Sequence, residues 1–185
     1  MTLMMRGFTL IEIIVVVAIV GIMAVTVVSL LNGYMKTFQS QEATIITAGS
    51  AGAVLTEVEN ALMQAIQVLA SHSFSGTLYS AGSQTLVLSL PAVDGSGSVI
   101  SGKTDYMVFY ASGTNVYWLT QADAASSRVS VLKRLSNVLQ SVTFTYDNVD
   151  FTQVKKVDTD VQTQTQAAGK TIQSHLHQQV YLRNL

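Results

Sequence analysis

One segment of this sequence limits the possible folds more than any other: an unbroken apolar run from Phe8 to Leu31. Its 24 residues contain a single ionisable side chain, that of Glu12. A helix of this length reaches about 36 Å at about 1.5 Å per residue, enough to cross a hydrocarbon layer of about 30 Å. A carboxylate within a bilayer is costly and by default marks a functional site with a partner. We therefore predict a membrane-spanning helix at residues 8–31, in which Glu12 has a specific role.

The residues before the run distinguish it from an ordinary export signal. Residues 1–7 form a short leader whose one basic residue, Arg6, directly precedes Gly7. A secretory signal peptide has an apolar region of about 7–15 residues that ends at a small-residue cleavage site. This run is longer, and residues 24–26 fit such a site poorly. Composition leaves open one alternative, an uncleaved anchor of an unrelated surface protein.

The sequence Arg-Gly-Phe-Thr-Leu-Ile-Glu at residues 6–12 resembles the N-terminus of type IV prepilins and of type II secretion pseudopilins. In that family a prepilin peptidase in the membrane cuts after the glycine and methylates the new amino group. The resemblance implies cleavage between Gly7 and Phe8 and N-methylation of Phe8. It also implies that Glu12 pairs with the methylated amine of a neighbouring subunit. The alternative for Glu12 is a carboxylate that snorkels to the membrane edge.

The resemblance also implies a cellular setting and a set of partners. The protein is expected to cross the bacterial inner membrane once, with its C-terminal domain outside the cytoplasm, and to enter a periplasmic or cell-surface filament. The implied partners are prepilin peptidase, other pilin or pseudopilin subunits and an inner-membrane assembly platform, and no cofactor is implied. We expect a minor pilin or pseudopilin, because cysteine is absent and residues 180–184 are similar to the ending of some minor pilin-like proteins. The alternatives are a major pilin and a membrane-anchored ligand-binding protein unrelated to filaments.

Composition argues against one class of function and against one means of stabilisation. The 185 residues carry a formal net charge of −1, and the largest basic clusters are the pairs Lys133-Arg134 and Lys155-Lys156. A nucleic-acid-binding surface needs clustered Lys and Arg, so direct binding of nucleic acid is not indicated. Because the chain has no cysteine, an exported domain must be stabilised by packing rather than by disulfides.

We predict that the helix continues as an amphipathic segment through residues 32–72. Glu57 and Glu59 lie opposite a stripe of apolar residues at helical spacing. The stripe consists of Val54, Val58, Leu62, Ile66 and Leu69. Gly49 and Gly52 are the weak point, since a glycine within a helix costs about 1 kcal/mol relative to alanine.

The remaining residues, 73–185, are predicted to form an antiparallel β-sheet domain, because the apolar period changes to two from about Gly76. Strands are predicted at residues 85–90, 105–110, 116–120, 128–134, 138–146, 153–164 and 171–182. Turns are predicted at residues 112–115 and 167–169, and a surface loop at residues 91–102. The fold class is therefore α+β and pilin-like, with a long N-terminal helix packed on a C-terminal antiparallel sheet.

Candidate metal ligands and catalytic residues are few. His175 and His177 share one strand face and could bind a metal if a third ligand came from elsewhere. Oxygen ligands for calcium could come from Asp147, Asn148 and Asp150, or from Asp158 and Asp160. We interpret these residues instead as turns and solvated strand faces, and we predict no metal site. The sequence contains no nucleophile elbow, phosphate-binding loop or His-Glu-x-x-His motif, so we predict no catalytic residues and no enzyme.

Overall fold

A computed structural model describes residues 8–182 of the chain. Within that range the chain forms one long α-helix, ten β-strands and one turn of 3-10 helix. The predicted leader, with the cleavage residue Gly7, lies outside the described residues, and so do residues 183–185. The fold class predicted from the sequence, a long N-terminal helix on antiparallel β-structure, is confirmed.

Helix α1 (Leu10–Gln64) is continuous over 55 residues, and Gly49 and Gly52 do not interrupt it. The prediction that the helix extends to residue 72 is wrong at its C-terminal end. The backbone becomes extended at Ala65, and the N–H groups of Ile66 and Leu69 donate hydrogen bonds to the carbonyl oxygens of a neighbouring strand, at 2.8 and 2.9 Å. Pairing with that strand satisfies the same backbone groups that two more helical turns would have satisfied.

The strands follow one another along the rest of the chain. They are β1 (Gln67–Val68), β2 (Ser71–Phe74), β3 (Thr77–Ser80), β4 (Thr85–Val93), β5 (Val99–Ser112), β6 (Asn115–Gln121), β7 (Val131–Ser136), β8 (Leu139–Tyr146), β9 (Lys156–Ala167) and β10 (Lys170–Tyr181). The 3-10 helix, Phe151–Gln153, lies between β8 and β9. All seven predicted strands overlap one of β4 to β10, whereas the three short strands β1 to β3 were not predicted.

The predicted loop at residues 91–102 is much shorter in the structure, because β4 continues to Val93 and β5 begins at Val99. Pro91 lies within β4, opposite Thr104 of β5. Proline cannot donate a backbone hydrogen bond and is normally confined to unpaired positions in a sheet. Here β1 pairs with β4 only opposite Leu88 and Ser89, so Pro91 lies beyond the end of β1.

The strands form three antiparallel sheets rather than one. The largest has the order β1-β4-β5-β6-β7, the second has the order β10-β9-β8, and β2 and β3 form a separate hairpin. A two-residue turn joins β9 to β10, and its residues Ala168 and Gly169 both have positive φ angles, 50° and 75°. That backbone geometry is what the tight turn of a β-hairpin requires. The turn predicted at residues 167–169 is therefore confirmed.

The second half of α1 packs on both of the larger sheets. One apolar core contains residues of the helix, of the five-stranded sheet and of the three-stranded sheet. The predicted stripe is confirmed at Val54, Val58 and Leu62, which are buried. Ile66 is exposed, since the helix has already ended there. Towards the N-terminus the buried stripe extends through Thr47 to Ala43. The carbonyl oxygen of Thr47 accepts a hydrogen bond of 2.8 Å from Thr163 Oγ1 of β9.

A second, smaller core lies on the outer face of the five-stranded sheet, beneath the hairpin of β2 and β3. Phe74 of the hairpin is buried there with Val87 and Val108 of the sheet. The imidazole of His72 stacks on the ring of Tyr106, with centroids 3.6 Å apart and planes 14° from parallel. The hairpin is therefore held by aromatic contacts rather than by backbone pairing to the sheet.

Candidate functional site

The N-terminal end of α1 carries the residues that the sequence identified. Thr9 is the N-cap, with an extended backbone at φ −81° and ψ 153°. Its Oγ1 accepts a hydrogen bond of 3.4 Å from the backbone N–H of Glu12. In return, the backbone N–H and the hydroxyl of Thr9 both donate to Oε2 of Glu12, at 2.8 and 2.9 Å. This reciprocal arrangement is a capping box, in which each side chain satisfies a backbone donor at the helix start.

Glu12 therefore lies in the first turn of the helix, where its charge interacts favourably with the helix dipole. The carboxylate and the side chain of Phe8 are both exposed in the isolated chain. The site has no enclosed cavity and no second titratable group among the described residues near it. Chemically, it can hold a cation or a set of hydrogen-bond donors at the carboxylate, and nothing in it could activate a nucleophile.

Sequence reasoning identified Glu12 but missed Thr9. The signal was present, because a Thr or Ser followed three residues later by Glu, just before an apolar run, is the pattern of a capping box. Thr9 is the residue that orients the Glu12 carboxylate in the free chain. Of the two residues at the predicted cleavage point, the structure describes only Phe8.

The apolar half of the helix is not covered by the rest of the chain. None of residues 8–42 is buried, and α1 contains an 18-residue window with a mean hydropathy of 3.0. By length and composition this part of α1 is able to cross a membrane. The part of the helix that the structure leaves uncovered therefore includes the whole segment, residues 8–31, that the sequence assigned to the bilayer.

Comparison with protein families gives a match at the N-terminus of the chain. Residues 4–28 match the family model described as the prokaryotic N-terminal methylation motif. The match supports a type IV pilin-like family, and the long helix on antiparallel sheets is a pilin-like fold. The motif implies processing by prepilin peptidase and association with other pilins, and it belongs to proteins that are structural rather than catalytic. No curated protein and no solved structure matches the chain.

The other candidate residues lie on the surface of the sheets. His175 is hydrogen-bonded to Asp160, and His177 Nε2 lies 3.9 Å from Asp158 Oδ1, so the pairs cross from β10 to β9. Within residues 8–182, no group of three or more His, Asp or Glu side chains is placed to hold a metal ion. The loop before the 3-10 helix is held by side-chain oxygens that accept hydrogen bonds from backbone N–H groups, at 2.9 to 3.1 Å. These oxygens belong to Asp147, Asn148 and Asp150.

The structure also contains a buried ion pair that the sequence did not indicate. Asp105 of β5 is fully buried and accepts hydrogen bonds from Arg128 Nη1, Ser126 Oγ and the backbone N–H of Asp123, at 2.7 to 2.8 Å. Arg128 also donates to Oε1 of Gln64 in the last turn of α1, at 2.8 Å. These contacts fix the loop between β6 and β7 against the helix. The sequence alone does not predict this pair, because its two residues are 23 positions apart and lie on different structural elements.

Beside this ion pair, a cleft of about 370 Å³ lies between the last turns of α1 and strands β6 and β7. Its floor is apolar and includes Ala61, Met107 and Trp118. Two lining residues contact Lys133: Glu57 forms an ion pair of 3.0 Å with it, and the Lys133 ammonium lies 5.0 Å from the centre of the Trp118 ring. The sequence analysis did not predict this cleft.

Proposed function

We propose that this chain is a structural subunit of a filament of the type IV pilus or type II secretion class, assembled through its N-terminal helix. The observation that carries the proposal is the N-terminal methylation motif, located on a helix whose apolar half has no cover within the chain. A soluble domain does not normally expose so large an apolar surface. A membrane before assembly, and the helices of other subunits after it, would provide the missing cover.

Processing at the start of the helix forms part of the proposal. We infer cleavage between Gly7 and Phe8 and methylation of the new amine of Phe8, because the motif match extends across this bond. The mature chain would then consist of an anchor at residues 8–31, the helix continuation to Gln64 and the β-domain that follows. It would cross the inner membrane once, assemble from there with the help of a membrane platform, and carry no catalytic function.

The proposed role of Glu12 is to pair with the methylated amine of Phe8 on a neighbouring subunit. Both charges are costly in lipid, and pairing them lowers that cost when the surroundings have a low dielectric constant. In the free chain the carboxylate is bound only by Thr9 among the described residues, and the ammonium of a neighbour would be a stronger partner than these neutral donors. Such a pair would also fix the axial register of one helix against the next.

The proposed subunit could be either a minor or a major component of the filament, depending on how many copies are present. The absence of cysteine and the C-terminal sequence favour a minor subunit that primes or caps the filament. A repeated, major subunit is the alternative, because the methylation motif and the uncovered apolar helix fit either form. The abundance of the chain relative to total protein in sheared filaments separates the two forms.

The processing step is tested by the intact mass of the protein isolated from cells that contain the peptidase. The expected mass is that of residues 8–185 plus one methyl group. The matched control is the Gly7→Val precursor, which should keep residues 1–7 and remain in the membrane. A wild-type protein that retains its leader would refute the processing step.

The role of Glu12 is tested by incorporation of Glu12→Gln and Glu12→Val chains into sheared filaments. Both should insert and be cleaved, since insertion depends on apolarity, but both should be incorporated at least about tenfold less because a paired charge has been removed. Glu42→Gln removes another exposed carboxylate from the same helix and should be incorporated normally. Normal incorporation of Glu12→Val would show that the carboxylate has no role in docking.

A further inference from the structure

The turn between β9 and β10 lies beside the part of α1 that follows the predicted anchor. At Thr163, β9 is hydrogen-bonded to the carbonyl oxygen of Thr47. Beyond that point residues 165–168 line one side of a groove of about 380 Å³. The helix residues on its other side are Gln39, Glu42, Ala43 and Ile46. The hairpin therefore runs back along the helix, and its turn points towards the membrane end of α1.

The helix residues just before this groove have the composition of a membrane interface. Tyr34 and Phe38 follow the apolar run and are 70% and 55% exposed, and Lys36 lies between them. Lys36 is about 8 Å beyond Leu31 at about 1.5 Å per residue. The headgroup layer on each side of a bilayer is about 5–8 Å deep. Tyrosine is enriched in this layer, and lysine reaches its charged end into it. When residues 8–31 span the bilayer, the β9–β10 turn therefore lies directly above the headgroups.

The membrane end of the β-domain carries more positive than negative charge. Lys170 directly follows the turn and is exposed. Lys36 is also exposed, and it lies two helical turns before Ala43, hence on the side of the helix that lines the groove. Along α1 and β9 the carboxylates closest to these lysines are Glu42, which lies further from the membrane than Lys36, and Asp160, seven residues from the end of β9. Two lysines and one carboxylate thus face the bilayer.

The length of the anchor allows the turn to approach the membrane. The apolar run of about 36 Å exceeds a hydrocarbon layer of about 30 Å, and such an excess is accommodated by tilting of the helix. The direction of tilt is set by interfacial anchors, lysine among them. A tilt towards the side of Ala43, where the β-domain packs, lowers the turn onto the headgroups.

We propose that in the unassembled subunit the β9–β10 turn docks on the membrane surface, where Lys36 and Lys170 bind the phosphates of anionic lipids. The contact rests on the membrane anchor of the proposed function. It sets the direction in which α1 tilts and holds the β-domain in one orientation above the bilayer. A subunit that leaves the membrane for a filament gives up this contact.

The absence of cysteine allows a single fluorescent label to report the contact in the full-length protein. Thr171→Cys, next to Lys170, is labelled with nitrobenzoxadiazole and reconstituted in phosphatidylcholine vesicles with and without phosphatidylglycerol. Both kinds of vesicle contain a lipid with a spin label on its headgroup, which quenches nearby fluorophores. The expected result is strong quenching in the vesicles that contain phosphatidylglycerol.

Two matched controls accompany this label. Gln179→Cys lies on the same exposed face of β10, about 27 Å from Thr171 at about 3.4 Å per residue, and should be quenched little. Lys155→Gln removes an exposed lysine near the opposite end of β9 and should leave the quenching at position 171 unchanged. Equal quenching at positions 171 and 179 would overturn the contact.

The part played by the lysines is measured with the same label. Lys36→Gln and Lys170→Gln should each lower the ratio of docked to undocked protein about fivefold, which corresponds to about 1 kcal/mol per basic residue near an anionic surface. Both effects should vanish in vesicles of phosphatidylcholine alone. Quenching that is independent of phosphatidylglycerol, or unchanged in both variants, would refute the proposed binding of lipid phosphates.

A label within the apolar run distinguishes failure of the contact from failure of the anchor. Ser29→Cys should give the blue-shifted emission of a fluorophore in lipid. If it does, and the label at position 171 is quenched no more than that at 179, the contact is wrong and the membrane anchor stands. If the label at position 29 remains in water, the anchor and the contact are both wrong.

Discussion

The two halves of α1 have the same backbone structure, but only the second half packs against the rest of the protein. From Leu10 to Glu42 no residue is buried, and as far as Leu31 the helix is apolar around its whole circumference except at Glu12. From Ala43 to Gln64 only one stripe is buried, and that stripe lies in the main core. The difference shows that one continuous helix can lie in two environments. A helix that is apolar on all sides must be surrounded by an apolar phase, whereas an amphipathic helix can bury its single apolar face against a sheet.

The largest expected effect comes from removing the second half of α1. A chain that begins at Tyr34 should be soluble and unfold cooperatively, because it keeps the whole buried stripe. A chain that begins at Ala65 keeps every strand but exposes the inner face of both sheets and should aggregate. Circular dichroism and size-exclusion chromatography compare the two. Equal solubility and equally cooperative melting would show that the helix is not part of the domain core.

A pair of leucines compares the two halves directly. Leu62 is 0% exposed in the core, whereas Leu30 is 69% exposed in the apolar half. Leu62→Ala should lower the free energy of unfolding of the β-domain by about 2–5 kcal/mol, the usual cost of a buried large-to-small substitution. Leu30→Ala should change it by less than about 0.5 kcal/mol. Urea denaturation of the full-length protein in detergent measures both, and similar losses would mean that the halves are not independent.

A smaller effect is expected where β9 is attached to the helix. Thr163→Val removes the hydroxyl that donates to the Thr47 carbonyl while preserving the shape of the side chain. The expected loss is about 1 kcal/mol, the typical net value of such a hydrogen bond. Thr143→Val on the exposed face of β8 is the matched control and should be nearly neutral. A loss no larger for Thr163→Val than for the control would indicate that apolar packing alone holds β9 against the helix.

The smallest effect lies outside the helix, in the outer core. Burial lowers the pKa of His72, whose Nε2 is buried without a hydrogen-bond partner among the described residues. Below about pH 6.5 the unfolded chain therefore binds a proton that the folded chain resists, and stability falls as the pH falls. The unfolding free energy should drop further between pH 7.5 and pH 5 in the wild type than in His72→Phe or His72→Gln. An unchanged pH dependence in both variants would exclude His72 as the cause.

The sequence was sufficient wherever a periodic pattern extends over many residues. The apolar run at 8–31 and the stripe at Val54, Val58 and Leu62 predicted a helix and the face that it buries. Strands β4 to β10 were found for the same reason. These patterns are strong because each residue in them faces a single environment over its whole element.

The sequence was insufficient wherever a local preference competes with a distant partner. Residues 65–72 continue the helical spacing of Ile66 and Leu69, but pairing with β4 diverts them into a strand. The buried pair of Asp105 and Arg128 depends on how β5 and the loop after β6 are brought together in the folded sheet. That order is set by tertiary packing and is not encoded in any window of the sequence.

The capping box at Thr9 and Glu12 has a consequence for the lifetime of the unassembled protein. In the proposed function, each subunit must wait as a dispersed membrane protein before it is recruited. Because the Glu12 carboxylate is already hydrogen-bonded to Thr9, it has a partner within its own chain before assembly. Unassembled subunits can therefore accumulate in the membrane without Glu12 binding to other proteins. During assembly, the hydrogen bonds from Thr9 to this carboxylate would be replaced by a bond from the amine of a neighbouring subunit. This exchange is reversible. A subunit released from a shortening filament would therefore re-form its bonds to Thr9 and return to the membrane pool unchanged.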